Sequence, residues 1–202
     1  MKGLMIPDGY RSHLDIRETE IAIKYVKDYF ERELANQLNL TRVSAPLFVQ
    51  PESGLNDTLN GIERPVSFGI REQDDHEVEI VHPLAKWKRY ALKRYGFHHG
   101  EGLYTDMNAI RRDEDTDNLH SIFVDQWDWE MIIDKKERNM DTLKAVVRRV
   151  YDALRYTKSL CPKNTGISNR SCPMKFIFSH PRSWKICIRI KHLKNGNTKS
   201  LN

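Results

Sequence analysis

Residues 110–130 carry a dense set of side chains able to do chemistry. Arg111, Arg112, Asp113, Glu114 and Asp115 stand in immediate succession, and Asp125, Gln126, Asp128 and Glu130 follow among Phe123, Val124, Trp127 and Trp129. Side chains two apart on a strand share a face, so an extended second half sets Gln126, Asp128 and Glu130 side by side. Three acceptor-rich groups on one sheet face are costly unless they meet water, partners or a ligand. A binding face is one outcome of this pattern. The other is a half-solvated antiparallel strand with Trp127 and Trp129 in the core.

The elements that must position these groups are legible around them. Residues 103–110 and 120–130 read as two strands joined by the charged loop. Upstream, Asp15 with Glu18 resembles a helix-capping pair, and Ala22, Val26, Phe30, Leu34 and Leu38 recur at helical spacing. Residues 41–49 read as a strand with Pro46 at an edge or bend. Residues 52–62 are rich in turn formers and hold the carboxylate of Asp57. Strands are expected at 65–71 and 77–82, with a polar tip at 72–76. Pro83 then opens a helix in which Leu84, Trp87, Ala91 and Tyr95 face the core, while Lys86, Lys88, Arg89, Lys93 and Arg94 project outward. His98 and His99 lie in a loop as surface residues, with no nearby groups to complete a metal site. Asp134 is expected to cap a last helix carrying Met140, Leu143, Val147, Val150, Tyr151 and Leu154 on one side.

Composition narrows the class. The 202 residues are 39% hydrophobic and 30% charged, which suits a soluble chain with one core. No apolar run reaches membrane-spanning length, so the expected address is cytoplasmic and no membrane partner is implied. Cys161, Cys172 and Cys187 lack both the close pairing of a zinc site and the number of a disulfide framework. Charge is segregated: all 28 Asp and Glu lie at or before Asp152, whereas the last 50 residues hold 11 Lys and Arg and no acid. Independent draws at the earlier frequency would leave such a stretch acid-free on the order of once in ten thousand times. Residues 159–202 are therefore expected to be a basic tail, disordered or out of frame, following a catalytic part at 1–158.

The run Arg-Asp-Glu-Asp, with a later His-x-x-x-x-x-Gln-x-Asp-x-Glu, resembles the second signature motif of class II aminoacyl-tRNA synthetases. More closely, residues 82–89 (His-Pro-Leu-Ala-Lys-Trp-Lys-Arg), 100–105 and 120–130 resemble the ammonia-dependent asparagine synthetase family, the aspartate-ammonia ligases, over roughly residues 10–158. The resemblance implies an α+β fold, an antiparallel sheet flanked by helices, of which this chain holds an incomplete part. It implies ATP-dependent amidation of L-aspartate by ammonia through β-aspartyl-AMP, with AMP and pyrophosphate released. Aspartate, ammonia and ATP are the implied substrates, Mg2+ accompanies the nucleotide, and a homodimer is the implied assembly.

The same resemblance assigns roles. Arg111 is the catalytic arginine at the α-phosphate, although synthetase-like spacing would choose Arg112. Lys88 serves catalysis and the substrate carboxylate, with Lys86 as fallback. Asp57, Gln126 and Asp128 bind aspartate beside Lys88. Arg111, Arg112 and Glu114 lie at the nucleotide, and no metal ligand falls in the matched part. The family's later acidic metal ligands and glycine-rich third motif have no counterpart after Lys158, so this chain is expected not to turn over by itself. Two alternatives stand beside this expectation: a nucleic-acid-binding module using the basic tail, and a non-catalytic dimerisation remnant.

Overall fold

The computed structural model of the chain describes residues 5, 6, 8–12, 14–57 and 61–164. Helix α1, Ile16–Leu38, starts on a full capping box: Asp15 accepts the Glu18 amide at 2.7 Å, and the Glu18 carboxylate accepts the Asp15 amide at 2.9 Å. It ends at Asn39 in a left-handed conformation, φ 54°. Strand β1, Leu40–Arg42, leaves directly from that turn and pairs parallel with β5, Gly102–Ile110. β5 pairs antiparallel with β6, Phe123–Met131, along its whole length, giving a sheet of order β1-β5-β6.

A second three-stranded sheet is wholly antiparallel. It has β4, His76–Ile80, between β2, Phe48–Val49, and β3, Ser67–Ile70. Residues 41–49, expected as one strand, are therefore shared between two sheets, with Pro46 in the irregular segment that crosses over. The sheet carrying β5 and β6 is also not purely antiparallel, because β1 joins it in parallel.

Helix α2, Ala85–Arg94, packs on β5 and β6, and α3, Met140–Asn164, packs on α1. Asp134 caps a short 3-10 turn, Lys135–Glu137, rather than α3. The cap of α3 falls to Asn139, whose side chain accepts the amides of Asp141 and Thr142 at 3.0 Å. A single turn intervenes between the expected cap and the helix. The expected boundary at 158/159 lies inside α3, while residues 165–202, with Cys172 and Cys187, lie outside the described residues, as does the Cys161 side chain.

Apolar burial holds the site elements in register. Leu34, Leu38, Leu40, Tyr104 and Ala153 form one core between α1, α3 and the β5 sheet; Ala91, Leu92 and Leu103 form another beneath α2. Gly102 sits at a crowded point of the first sheet. A Cβ there would stand 2.5 Å from the Glu130 carbonyl oxygen and 2.6 Å from Leu40, so only glycine lets β1 and β6 flank β5 at this point. At the middle of β6, Trp127 tilts against Phe30 of α1 with ring centroids 5.2 Å apart.

Candidate active site

Lys88 is fully buried, at 0% exposure, although it was expected to project outward. The correction follows from helical geometry. Lys88 is four residues after Leu84 and four before Leu92, both buried, so it belongs to the inner stripe of α2. Tyr95, expected inside, is instead half exposed just past the helix end.

The Lys88 ammonium forms an ion pair with the Asp128 carboxylate of β6, but the contact lacks the direction of a hydrogen bond, and Nζ has no hydrogen-bond acceptor among the described residues. Asp128 keeps about a third of its side chain exposed, at 35%. A buried cation with a partly open partner is a site with unused donor capacity.

Gln126 and Glu130 share the Asp128 face as the spacing required. Gln126 Nε2 donates to the His82 carbonyl at 3.1 Å. Burial raises the Glu130 carboxyl above its usual range against the pull of Arg89, whose Nε lies 3.7 Å away, and of Lys88. Asp57 is brought to the same end of α2, where its Oδ1 stands 3.3 Å from Lys86 Nζ. Lys86 also donates to the carbonyls of Gly54, at 3.2 Å, and Asn56, at 3.4 Å. Lys86 therefore ties down the loop that bears Asp57, and Lys88 faces Asp128.

The charged loop after β5 builds a second compartment. A cavity of about 510 Å3 is lined by Glu63, His82, Arg111, Arg112, Asp113, Glu114 and His120. Asp113 is committed to Arg64, which reaches it through Nε at 3.1 Å, Nη2 at 2.5 Å and its backbone amide at 2.9 Å. The Arg64 side-chain hydrogen bonds hold the Asp113 carboxyl well below the carboxylate range. Arg112 Nη1 donates to the Pro65 carbonyl at 3.2 Å, whereas Arg111 Nε is buried without an acceptor. His120 pairs with Asp117 at 2.9 Å, which raises its imidazole above the usual range.

His82 joins the two compartments, and nothing in its spacing singled it out. Its amide donates to Asn56 Oδ1 at 3.0 Å, its carbonyl accepts from Gln126, and its ring lines the Arg111 cavity. Asn56 is anchored in turn on Glu79 at 3.1 Å.

Burial, and after it the Arg111 charge, hold the His82 imidazole below its ordinary range; the Asp57 backbone and the Glu63 and Glu79 carboxylates oppose this and are outweighed. The folded-state value is thus the lower one, so native protein binds fewer protons than unfolded protein. The His82 contribution to stability is whole above the unfolded value near 6.5 and is lost as pH falls through the folded value. We expect the unfolding free energy of wild type minus that of His82→Leu to decline between about pH 7 and 5. Urea titrations at several pH values check this, and a constant difference would contradict it.

At the surface, His99 is joined by groups that its sequence neighbourhood did not show. Glu137 Oε2 lies 2.5 Å and Asp134 Oδ2 3.9 Å from His99 Nε2. Among the described residues, these three are the only His, Cys, Asp or Glu side chains grouped closely enough to share a metal ion, and none lines the cavity. His98 and His99 are both exposed, as expected.

A buried cation and an amide beside a pocket with an unpartnered guanidinium Nε form an arrangement able to meet a small polar molecule next to an oxyanion. The comparisons with known proteins give that class a family. A sequence model described as aspartate-ammonia ligase matches residues 17–184, and the chain belongs to this family. It is 65% identical over 159 residues to the aspartate-ammonia ligase of Ruminiclostridium cellulolyticum, which covers 79% of this chain and 47% of the relative. It is 66% identical over 158 residues to that of Clostridium perfringens strain ATCC 13124, covering 78% and 47%, and 55% identical over 168 residues to that of Lactobacillus johnsonii, covering 83% and 50%. The chain thus spans about half the length of these curated relatives.

Proposed function

We propose that this chain carries the aspartate-binding part of a class II synthetase-like site that amidates L-aspartate with ammonia, consuming ATP and releasing AMP and pyrophosphate through β-aspartyl-AMP. The observation that carries the proposal is Lys88, a fully buried ammonium with no directed acceptor, opposite the partly exposed carboxylate of Asp128. A free amino acid supplies what each lacks: carboxylate oxygens for Lys88 and an ammonium group for Asp128. Asp57 adds a second acceptor for the substrate amine, and the Gln126 amide contributes polar contacts beside them.

Arg111 fits the nucleotide because its unpartnered Nε–H can meet a phosphate oxygen on which charge builds during attack by the aspartate side-chain carboxylate. Arg112 and Glu114 line the same cavity and are assigned to the nucleotide with it. Mg2+ accompanies ATP by resemblance, but no group of three ligands surrounds the cavity among the described residues, so none is assigned. Ammonia then attacks the activated acyl carbon, a step in which positioning against competing water supplies the selectivity.

No described helix is long and apolar enough to cross a membrane; a cytoplasmic place belongs to the proposal. A homodimer belongs to it as well, supported by Ile16, Ile21 and Ile23 exposed along α1. The proposal retains the division at 158/159 between a catalytic part and a basic tail.

Isothermal titration of the 202-residue chain with L-aspartate tests the proposal. We expect saturable binding with preference over D-aspartate, and no AMP or asparagine when ATP, magnesium and ammonium are added. Absence of aspartate binding would overturn the site, and sustained turnover would overturn the expectation that this chain does not complete the reaction alone.

A further inference from the structure

Burial of an unsatisfied donor or acceptor costs about 1–3 kcal/mol, so native structures keep such groups where something else meets them. At one cavity among the described residues, two such groups come together. His82 is 1% exposed with neither ring nitrogen hydrogen-bonded, and Arg111 Nε is equally without a partner. A core histidine without a role would pair one nitrogen with a neighbouring carbonyl or hydroxyl. Here the Asp57 backbone lies close enough to favour the protonated ring but makes no hydrogen bond of normal geometry to either nitrogen, and the His82 backbone is held on both sides instead. The His82 peptide is clamped on one side by Asn56 at 3.0 Å and on the other by Gln126 at 3.1 Å, and Pro83 restricts its backbone further.

We propose that His82 and Arg111 form a two-donor cradle for a phosphoryl oxyanion, the neutral imidazole giving one N–H and Arg111 its Nε–H, so that His82 is a nucleotide-contacting residue. This rests on the proposed function and adds to it a contact that links the phosphate compartment to the aspartate compartment. The carboxylates facing the cavity do not occupy these donors: Asp113 is taken by Arg64, and neither Glu63 nor Glu114 hydrogen-bonds Arg111 Nε or the His82 ring. An acceptor-rich ligand is what the two donors lack. Because Gln126 holds the His82 carbonyl, aspartate bound along Gln126 and a phosphate held by the His82 ring come to opposite sides of one residue.

The full 202-residue chain, as wild type, His82→Leu and His82→Gln, is titrated with AMP, with inorganic phosphate and with L-aspartate, and its thermal unfolding is recorded. We expect wild type to bind AMP and aspartate. His82→Leu should weaken AMP about tenfold or more, as for a lost hydrogen bond to a charged group. Aspartate binding should stay within about twofold, and the melting temperature at neutral pH should not fall, because two unsatisfied buried atoms are removed. His82→Gln, which keeps an N–H donor, should recover part of the loss. Inorganic phosphate showing the same ranking would assign the contact to the phosphoryl group rather than to the adenosine.

AMP affinity unchanged in a folded His82→Leu variant that still binds aspartate would overturn the cradle while leaving the proposed function standing. Loss of aspartate rather than AMP would overturn the phosphate assignment. Wild type binding neither ligand would overturn both. Should His82→Leu fail to fold, the wild-type His82 ring nitrogen resonances decide, and no change on saturation with AMP would count against the cradle.

Discussion

Asp128→Asn is expected to destabilise the chain by about 2–4 kcal/mol, whereas Lys88→Met should change its stability by less than about 1 kcal/mol. The two substitutions remove opposite ends of one ion pair, and their inequality follows from burial. Lys88 is fully buried and Asp128 is about one-third exposed. Without the Asp128 charge, the ammonium beneath α2 keeps no carboxylate at ion-pair distance, and Glu130 acts on it only from farther off. Without the Lys88 charge, the carboxylate keeps its access to water. Methionine also preserves the unbranched apolar stem that packs between Leu84 and Leu92. The open side of Asp128 places the expected cost below that of breaking a fully buried pair.

Urea unfolding of the two variants measures the difference, and aspartate titration separates stability from function. Lys88→Met should unfold much like wild type and yet lose aspartate binding. Equal destabilisation by the two changes would contradict the asymmetric burial from which the prediction is drawn.

The strand pair at the centre was legible in the sequence because both of its signals are local. Alternation of Gln126, Asp128 and Glu130 with Trp127 and Trp129 needs only the two-residue repeat of an extended chain, and the charged run 111–115 can only be a loop between such strands. The α1 capping box and its apolar stripe were equally local. Lys88 was placed on the wrong side of α2 because charge outweighed position. Its spacing from Leu84 and Leu92 already put it inside, and a lysine is so seldom buried that the helical period was overruled. The positions where residue type and periodicity disagree are those where a site is to be sought.

Other features depended on contacts distant in sequence. The segment 41–49 was divided between two sheets because β1 finds β5 some 60 residues later, an unusual parallel partner within an otherwise antiparallel arrangement. His82 opened a motif that carries the family resemblance, but neither its spacing nor that resemblance gave it a role. Its importance comes from Asn56, Gln126 and Arg111 meeting it from three separate segments. The grouping of His99 with Asp134 and Glu137 likewise needed the turn after β6 to fold back beside the loop after α2.

The choice between the two adjacent arginines, which spacing left open, turns on what each guanidinium already holds. Arg112 donates to the Pro65 carbonyl at 3.2 Å and so secures the segment entering β3. Arg111 has its backbone fixed by the Ile122 carbonyl at 2.7 Å, at the mouth of the β5–β6 hairpin, while Nε remains buried and unpaired. The first arginine is thus positioned with its Nε unspent, and the second serves as a brace. Arg111→Leu is expected to weaken AMP binding by roughly 10- to 100-fold, the span of a charge-assisted hydrogen bond. Arg112→Leu should weaken it by no more than about threefold, as for a charge at an exposed rim. Arg111→Lys should not restore binding, because an ammonium cannot reproduce the fixed fork of the guanidinium. Calorimetric titration of the three variants with AMP distinguishes the assignments. The reverse ranking would move the phosphate contact to Arg112, and with it the catalytic role proposed for Arg111.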